Sequence, residues 1–161
     1  MKKDKYRLIS TIIVLTIIDQ VIKYIISINK ENMPISIIKN IIQLNYVENF
    51  GVAFGIASGG KSIFIIANII IIGIILKFLF TQSTSLNNIK KFFLSIIISG
   101  GIGNLIDRVF RGFVIDYIDF SQIVNYPVFN FADIMIVIGT IIFAIFIIKD
   151  MINDKKENKK E

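Results

Sequence analysis

The chain of 161 residues contains no cysteine and no histidine. Without cysteine it has neither a disulfide framework nor a thiol nucleophile. Without histidine it lacks the commonest general base near neutral pH and the commonest zinc ligand. Any catalysis therefore falls to carboxylates, lysine, tyrosine or hydroxyls. Charge is also scarce. Asp, Glu, Lys and Arg make up 19% of the residues, against about a quarter in ordinary soluble domains.

What is present is apolar, at 54% of the residues and a mean hydropathy of +0.71. The apolar residues come in long runs, not in amphipathic stripes. Four runs, at approximately 8–28, 62–80, 92–107 and 129–148, approach or reach the roughly 20 residues that cross a hydrocarbon core. The expected fold is thus an all-α membrane protein, one domain over 1–161 with four transmembrane helices. "MKKDKYR" followed by "LISTIIVLTII" has the outline of a signal peptide but no small-residue cleavage site, and it reads as a retained first span. "IQLNYVENFGVAFG" alternates Ile42, Leu44 and Tyr46 with Gln43 and Asn45, the period of a half-buried strand. Gly51 and Gly55 then permit turns or close backbone approach. A small extracytoplasmic β-sheet on the membrane surface is expected from the strand at 41–50.

The net charge of +6 does not point to nucleic acid, because the basic residues are neither patched nor interleaved with exposed aromatics. They sort by loop instead. Lys2, Lys3, Lys5, Arg7, Lys77, Lys90, Lys91, Lys149, Lys155, Lys156, Lys159 and Lys160 fall on one side. Lys30, Lys39, Lys61, Arg108 and Arg111 fall on the other, and Lys23 lies within the first span. By the positive-inside rule both termini are expected in the cytoplasm, with loops 29–61 and 108–128 together outside. The 149–161 tail reads as a polar cytoplasmic end.

Polar side chains inside the spans are the informative exceptions, since each costs about 2.5–3.5 kcal/mol at a bilayer centre on insertion scales. Asp19 and Lys23, four apart, share a helix face and read as an ion pair that holds the first helix to its neighbours. "SGGIGNLIDR" sets Gly100, Gly103, Asn104 and Asp107 on one face, a close-packing surface with a polar anchor. Arg108 follows at the outer interface, where Asp107 or another acid is a possible partner. Asn130 and Asp133 share a face at the start of the fourth helix. Asp116 ends the run "FVI" just beyond the third, and since helix four returns beside helix three, Asp116 and Asp133 can meet at the outer boundary. Asp119, one helical turn from Asp116, is the alternative partner, and Asp107 is the main rival to Asp116. Two carboxylates in a low-dielectric site share a proton, leaving one base towards water and one acid able to donate to a leaving nitrogen. Ser95, Ser99 and Ser121 have no base beside them and read as helix and loop hydroxyls. On residues alone, a proton relay through Asp19, Lys23, Asp107 and Asp133, a cation site at the paired aspartates, and a non-catalytic scaffold stay open.

"TIIDQVIK", "NYVENFGVAFG", "GGIGNLIDRVFRGFVIDYIDF" and "FNFADIMIVIGT" follow one another in this order. Together they closely resemble the blocks of bacterial lipoprotein signal peptidase (signal peptidase II), over about residues 8–148. The resemblance implies an aspartic endopeptidase of the bacterial cytoplasmic membrane with its active site at the outer face. It implies removal of the signal peptide from diacylglyceryl-modified prolipoproteins, just before the lipidated cysteine. The catalytic pair falls on Asp116 and Asp133. Asn104 and Asn130 match polar residues lining the site, Asp107 and Arg108 the pair that orders it, and Asp19, Lys23 and Asn49 positions that shape the cleft. No metal or organic cofactor is expected. The expected partners are lipid-modified prolipoproteins and membrane lipids, with no nucleic acid, and the chain is expected to act as a monomer.

Overall fold

The structure, a computed structural model, describes residues 2–51, 60–82 and 86–157. Gly55, where the sequence leads us to expect a turn or close backbone approach, lies outside the described residues. Four long helices, α1 (Lys2–Ile28), α2 (Gly60–Thr81), α3 (Asn88–Phe110) and α4 (Phe131–Glu157), are each apolar and long enough to span a bilayer. Three strands, β1 (Ile35–Ile38), β2 (Ile42–Asn49) and β3 (Val114–Asp119), form one antiparallel sheet in the order β1-β2-β3.

The middle helix is α3. Its spanning window is 61% buried against 11–17% for the other three, which present their Ile, Val and Phe side chains outward. Small residues make this possible, because they let helix backbones approach closely. Three glycines aim at three neighbours: a Cβ on Gly100 would strike the Ala132 carbonyl of α4, one on Gly101 the Ile72 side chain of α2, and one on Gly103 the Asp19 carboxylate of α1. The Ser95 and Ser99 hydroxyls donate to carbonyls of their own helix, Lys91 O at 2.9 Å and Ser95 O at 2.6 Å, and so need no partner in the apolar interior. The helix starts earlier than its apolar run suggests, since Asn87 caps it by accepting from Lys90 N at 2.9 Å. Lys90 then pairs with Asp150 of α4 at the end away from the sheet.

At the sheet end α3 stops at Gly112, whose φ of +91° lies in the left-handed region and whose N–H closes on Asp107 O at 3.1 Å. This glycine stop turns the chain directly into β3. All of β3 except Ile118 is buried, so its sequence shows no inside–outside alternation. Ile115 and Tyr117 pack with Ile26 at the end of α1. Successive side chains of a strand point to opposite faces, which sends Asp116 the other way, towards the start of α4. A register shift between Leu44 and Val47 sets Val47 opposite Asp116. The chain leaves β3, makes an excursion over residues 120–128, and returns at Phe129. There it forms an isolated antiparallel bridge with Ile118, through Ile118 N to Phe129 O at 2.7 Å and Phe129 N to Ile118 O at 3.1 Å.

Candidate active site

Helix α4 opens with "NFAD", a helix start whose geometry is set by local capping rules. Asn130 precedes the first helical residue, and its side-chain oxygen accepts from Asp133 N at 3.0 Å. Asp133 in turn accepts from Asn130 N through Oδ2 at 3.1 Å. The two residues satisfy each other's orphan groups, the reciprocal arrangement of a capping box, and this leaves Asp133 half-buried at the mouth of the bundle. Asn130 is fully buried. Its amide nitrogen donates to Asp116 Oδ1 at 2.6 Å and to Asn104 Oδ1 at 3.2 Å. One residue therefore touches both Asp116 and Asp133.

The carboxylate of Asp116 is 2% exposed. Besides Asn130 it accepts from Asn49 Nδ2, at the end of β2, through Oδ2 at 2.8 Å. Burial, and then the nearby Asp133 carboxylate, push its pKa up to about 6, while the Asn49 and Asn130 amides and the Lys23 ammonium pull the other way. A carboxyl with that pKa changes charge near neutrality, where a group that gives or takes a proton is most useful. The Asp133 carboxylate accepts a second bond, from Asn104 Nδ2 at 2.8 Å.

Beneath the pair lies a buried charge network, in which Asp19 Oδ1 alone has no hydrogen-bond partner among the described residues. Lys23 is fully buried and its ammonium, which can only donate, has three acceptors: Asp19 Oδ2 at 3.0 Å, Asp107 Oδ2 at 2.8 Å and Asn104 Oδ1 at 3.0 Å. That fixes the Asn104 amide. Its oxygen must face Lys23, so its NH2 must face Asp133. Asp107 also pairs with Arg111 and accepts from Ile115 N, the residue before Asp116, at 3.3 Å. Gln20 completes the set, donating to Gly103 O at 3.1 Å and Asp107 Oδ1 at 3.2 Å while accepting from Arg111 at 2.9 Å. Asp19, Lys23, Asp107 and Arg111 carry two charges of each sign, so these buried charges are compensated by one another.

The structure brings together Asp116, Asp133, Asn49, Asn104 and Asn130, with Lys23, Asp19 and Asp107 below them. Arg108 stands at the rim, its guanidinium 5.9 Å from the Phe64 ring and its Nη1 3.4 Å from Asn104 O. Asp107 pairs with Lys23 and Arg111, not with Arg108. It is thus bound to two cations beneath the cluster. Asp119 is also not part of the cluster. Residues 116 and 119 lie on a strand, not a helix, so they face opposite sides. Gln43 at 2.7 Å, then the Ser121 backbone N–H and Asn45, hold Asp119 ionised with a pKa lowered to about 2. Gln20 and Arg111 were not singled out from the sequence. Gln20 is a polar residue inside an apolar run, and Arg111 follows Asp107 by one helical turn, which are the signals that mark them.

Asp133 lines two cavities. One, about 290 Å³, lies between α2 and the α3–α4 pair and includes Asn68, Asn104 and Arg108. The other, about 310 Å³, runs along α4 beneath Tyr126 and Phe129.

Comparisons with known proteins identify the family. The family described as Signal peptidase (SPase) II matches residues 11–149. A lipoprotein signal peptidase of Clostridium novyi (strain NT) is 41% identical over 119 residues, covering 72% of this chain and 79% of that protein. A lipoprotein signal peptidase of Staphylococcus aureus (strain MRSA252) is 37% identical over 147 residues, covering 89% of each chain. A bacterial membrane enzyme solved by the in meso method at 2.3 Å resolution is similar with a TM-score of 0.81 and 34% identity, over 91% of this chain and 90% of that one. Four spanning helices under a small sheet, two carboxylates tied to one asparagine, and these relatives lead to one assignment: the chain is a multi-pass membrane protein and a member of the signal peptidase II family of aspartic proteases.

Proposed function

We infer that this chain removes the signal peptide from diacylglyceryl-modified prolipoproteins, cutting just before the lipidated cysteine, with Asp116 and Asp133 as the catalytic pair. The observation that carries the reading is the double attachment of Asn130, through Nδ2 to Asp116 at 2.6 Å and through its backbone N–H to Asp133 at 3.1 Å. Two carboxylates held on one residue share a proton. The ionised one takes a proton from water as it attacks the scissile carbonyl. The protonated one donates to the carbonyl oxygen and is left ionised; the first, now protonated, then donates to the leaving nitrogen while its partner takes a proton back from the gem-diol hydroxyl as the C–N bond breaks. No covalent intermediate forms, and the two groups exchange roles within a turnover. Each already accepts amide N–H bonds that hold it in place, which lowers the cost of positioning at the moment of reaction.

The sheet end of the bundle is the outer face in this reading, with both termini in the cytoplasm. Supporting it, the basic side chains of the described residues concentrate at the opposite end, among them Arg7, Lys77, Lys90, Lys91 and Lys149. The substrate enters sideways from the bilayer with its signal helix among the spans. A proton relay across the membrane gains no support. Among the described residues the titratable network ends at Asp19, and deeper in α3 the Ser95 and Ser99 hydroxyls donate to their own helix.

Purified protein incubated with a synthetic diacylglyceryl precursor should release its leader peptide, and should do so in EDTA. Asp116→Asn and Asp133→Asn proteins should insert into membranes and release none. Turnover retained by either variant refutes the pair.

A further inference from the structure

Asp133 divides two cavities of different chemistry. With about 100° per residue along a helix, Ile136 lies about 60° to one side of Asp133. Val137, Ile134 and Ile138 lie about 40°, 100° and 140° to the other. On the Ile136 side the cavity carries the Asn68 and Asn104 amides and the Arg108 guanidinium, the donors and acceptors a peptide backbone needs. On the Val137 side the cavity is lined by Tyr126, Phe129, Ile134, Val137 and Ile138, and Asp133 is its one charged group. Val137 and Ile138 are also among the exposed large apolar residues of α4. That groove therefore opens directly onto the face of α4 that meets lipid, with the catalytic carboxylate at its head.

Resting on the signal peptidase reading above, we propose that the groove along Ile134, Val137 and Ile138 is the subsite for an acyl chain of the substrate's diacylglyceryl group. The polar cavity on the other side of Asp133 then takes the peptide. A lipidated cysteine immediately after the scissile bond carries both parts. Its backbone lies at the aspartates, and its chains must leave the site on a side the peptide does not occupy. An acyl chain gains little by moving from lipid into an apolar groove, since lipid tails are as apolar as leucine. The groove therefore acts by shape. It provides an unobstructed path from Asp133 to the bilayer, and blocking that path obstructs substrates with long chains and spares those with short ones.

Val137→Trp fills the groove from a position exposed to lipid, and Ala67→Phe fills the polar cavity. Both are assayed on synthetic precursors whose cysteine carries either dipalmitoyl or diacetyl glyceryl groups. Val137→Trp should lower kcat/KM for the dipalmitoyl substrate by about tenfold or more, or about 1.4 kcal/mol per factor of ten, and should leave the diacetyl substrate within about twofold. Ala67→Phe should lower both alike. In parallel, a precursor with a diazirine at the end of its acyl chain is irradiated with Asp116→Asn protein, and labelling is expected on Tyr126, Val137 or Ile138. Equal effects of Val137→Trp on both substrates, no effect on either, or labelling of α2 in place of α4 overturns the subsite. A wild-type protein that cleaves neither substrate refutes the peptidase reading instead, and the labelling pattern still decides where the chain lies.

Discussion

Asn49 sits at the exposed end of β2, yet its amide reaches the buried Asp116 carboxylate at 2.8 Å. An N–H donated to a charged group contributes about 1.5–3 kcal/mol, and each pKa unit corresponds to about 1.36 kcal/mol. Replacing Asn49 by Ala removes a bond made preferentially to the ionised form. The pKa of Asp116, already up to about 6, should rise further by about 1–2 units. Because the pair must also keep one proton, and the Asp133 charge helps hold it on Asp116, the falling limb of kcat/KM against pH moves up with it. Relative to its own maximum, the variant at pH 8 should be about 10- to 50-fold more active than wild type, and near pH 5 the two should coincide. Asn49→Asp separates this effect from the turn that Asn49 also supports by accepting from Gly51 N at 2.8 Å. It keeps that acceptor but sets a carboxylate against Asp116, so its limb should lie at least as high as that of the Ala variant. The assay is release of a fluorescent leader from a diacylglyceryl precursor in detergent, across pH 5–9.5. A falling limb that stays where it is in wild type, or moves to lower pH, refutes the claim that Asn49 acts through the ionisation of Asp116.

Further outcomes come from the same geometry. Lys23→Met should destabilise the protein by about 3–5 kcal/mol, the usual cost of orphaning a buried charge. Adding Asp19→Asn should recover part of that, because Asp107 keeps Arg111 whereas Asp19 loses the ammonium that compensates it; thermal unfolding in detergent measures both. Gly100→Ala forces a Cβ into the Ala132 carbonyl and should cost about 1–3 kcal/mol together with activity. Gly73→Ala, which meets nothing within 4 Å, should stay within about 0.5 kcal/mol of wild type. Asp116 ionises less readily folded than unfolded, so the stability it contributes is full below its ordinary pKa of 3.8 and is lost as pH rises through about 6. The melting temperature of wild type should therefore fall relative to Asp116→Asn between pH 4 and about 6.5. Asp119 has the opposite sign, giving stability present above 3.8 and lost as pH falls towards about 2.

The parts of the fold legible in the sequence are those that the bilayer itself dictates. Long apolar runs can only be spans, and a carboxylate inside one needs a partner, so Asp19 with Lys23 and Asn130 with Asp133 were readable from spacing alone. The pairing of Asp116 with Asp133 rested on helix four returning beside helix three, and the Gly100–Ala132 contact now gives the physical reason for that return. Strand β3 was hidden because it is buried on both faces, so "VIDYID" shows no period of two, and Asp119 therefore looked like a neighbour of Asp116. Strand β1 lies directly after Pro34 and has only four residues, all exposed, too short for any pattern. Arg111 was obscured by distance. Its partner Gln20 lies 91 residues away, a separation that no local pattern reports.

The bridge between Ile118 and Phe129 has a consequence for how such a protein can change. It fastens the two backbone segments carrying Asp116 and Asp133 a few residues from each carboxylate, so the stretch between Asp119 and Val128 hangs from a closed clasp. Doubling the length of a flexible loop costs only about 0.6 kcal/mol, and none of that strain reaches the reacting groups. This stretch, with Ile123, Val124 and Tyr126 turned outward, can be rewritten to suit new cargo while the chemistry beneath it stays in tune.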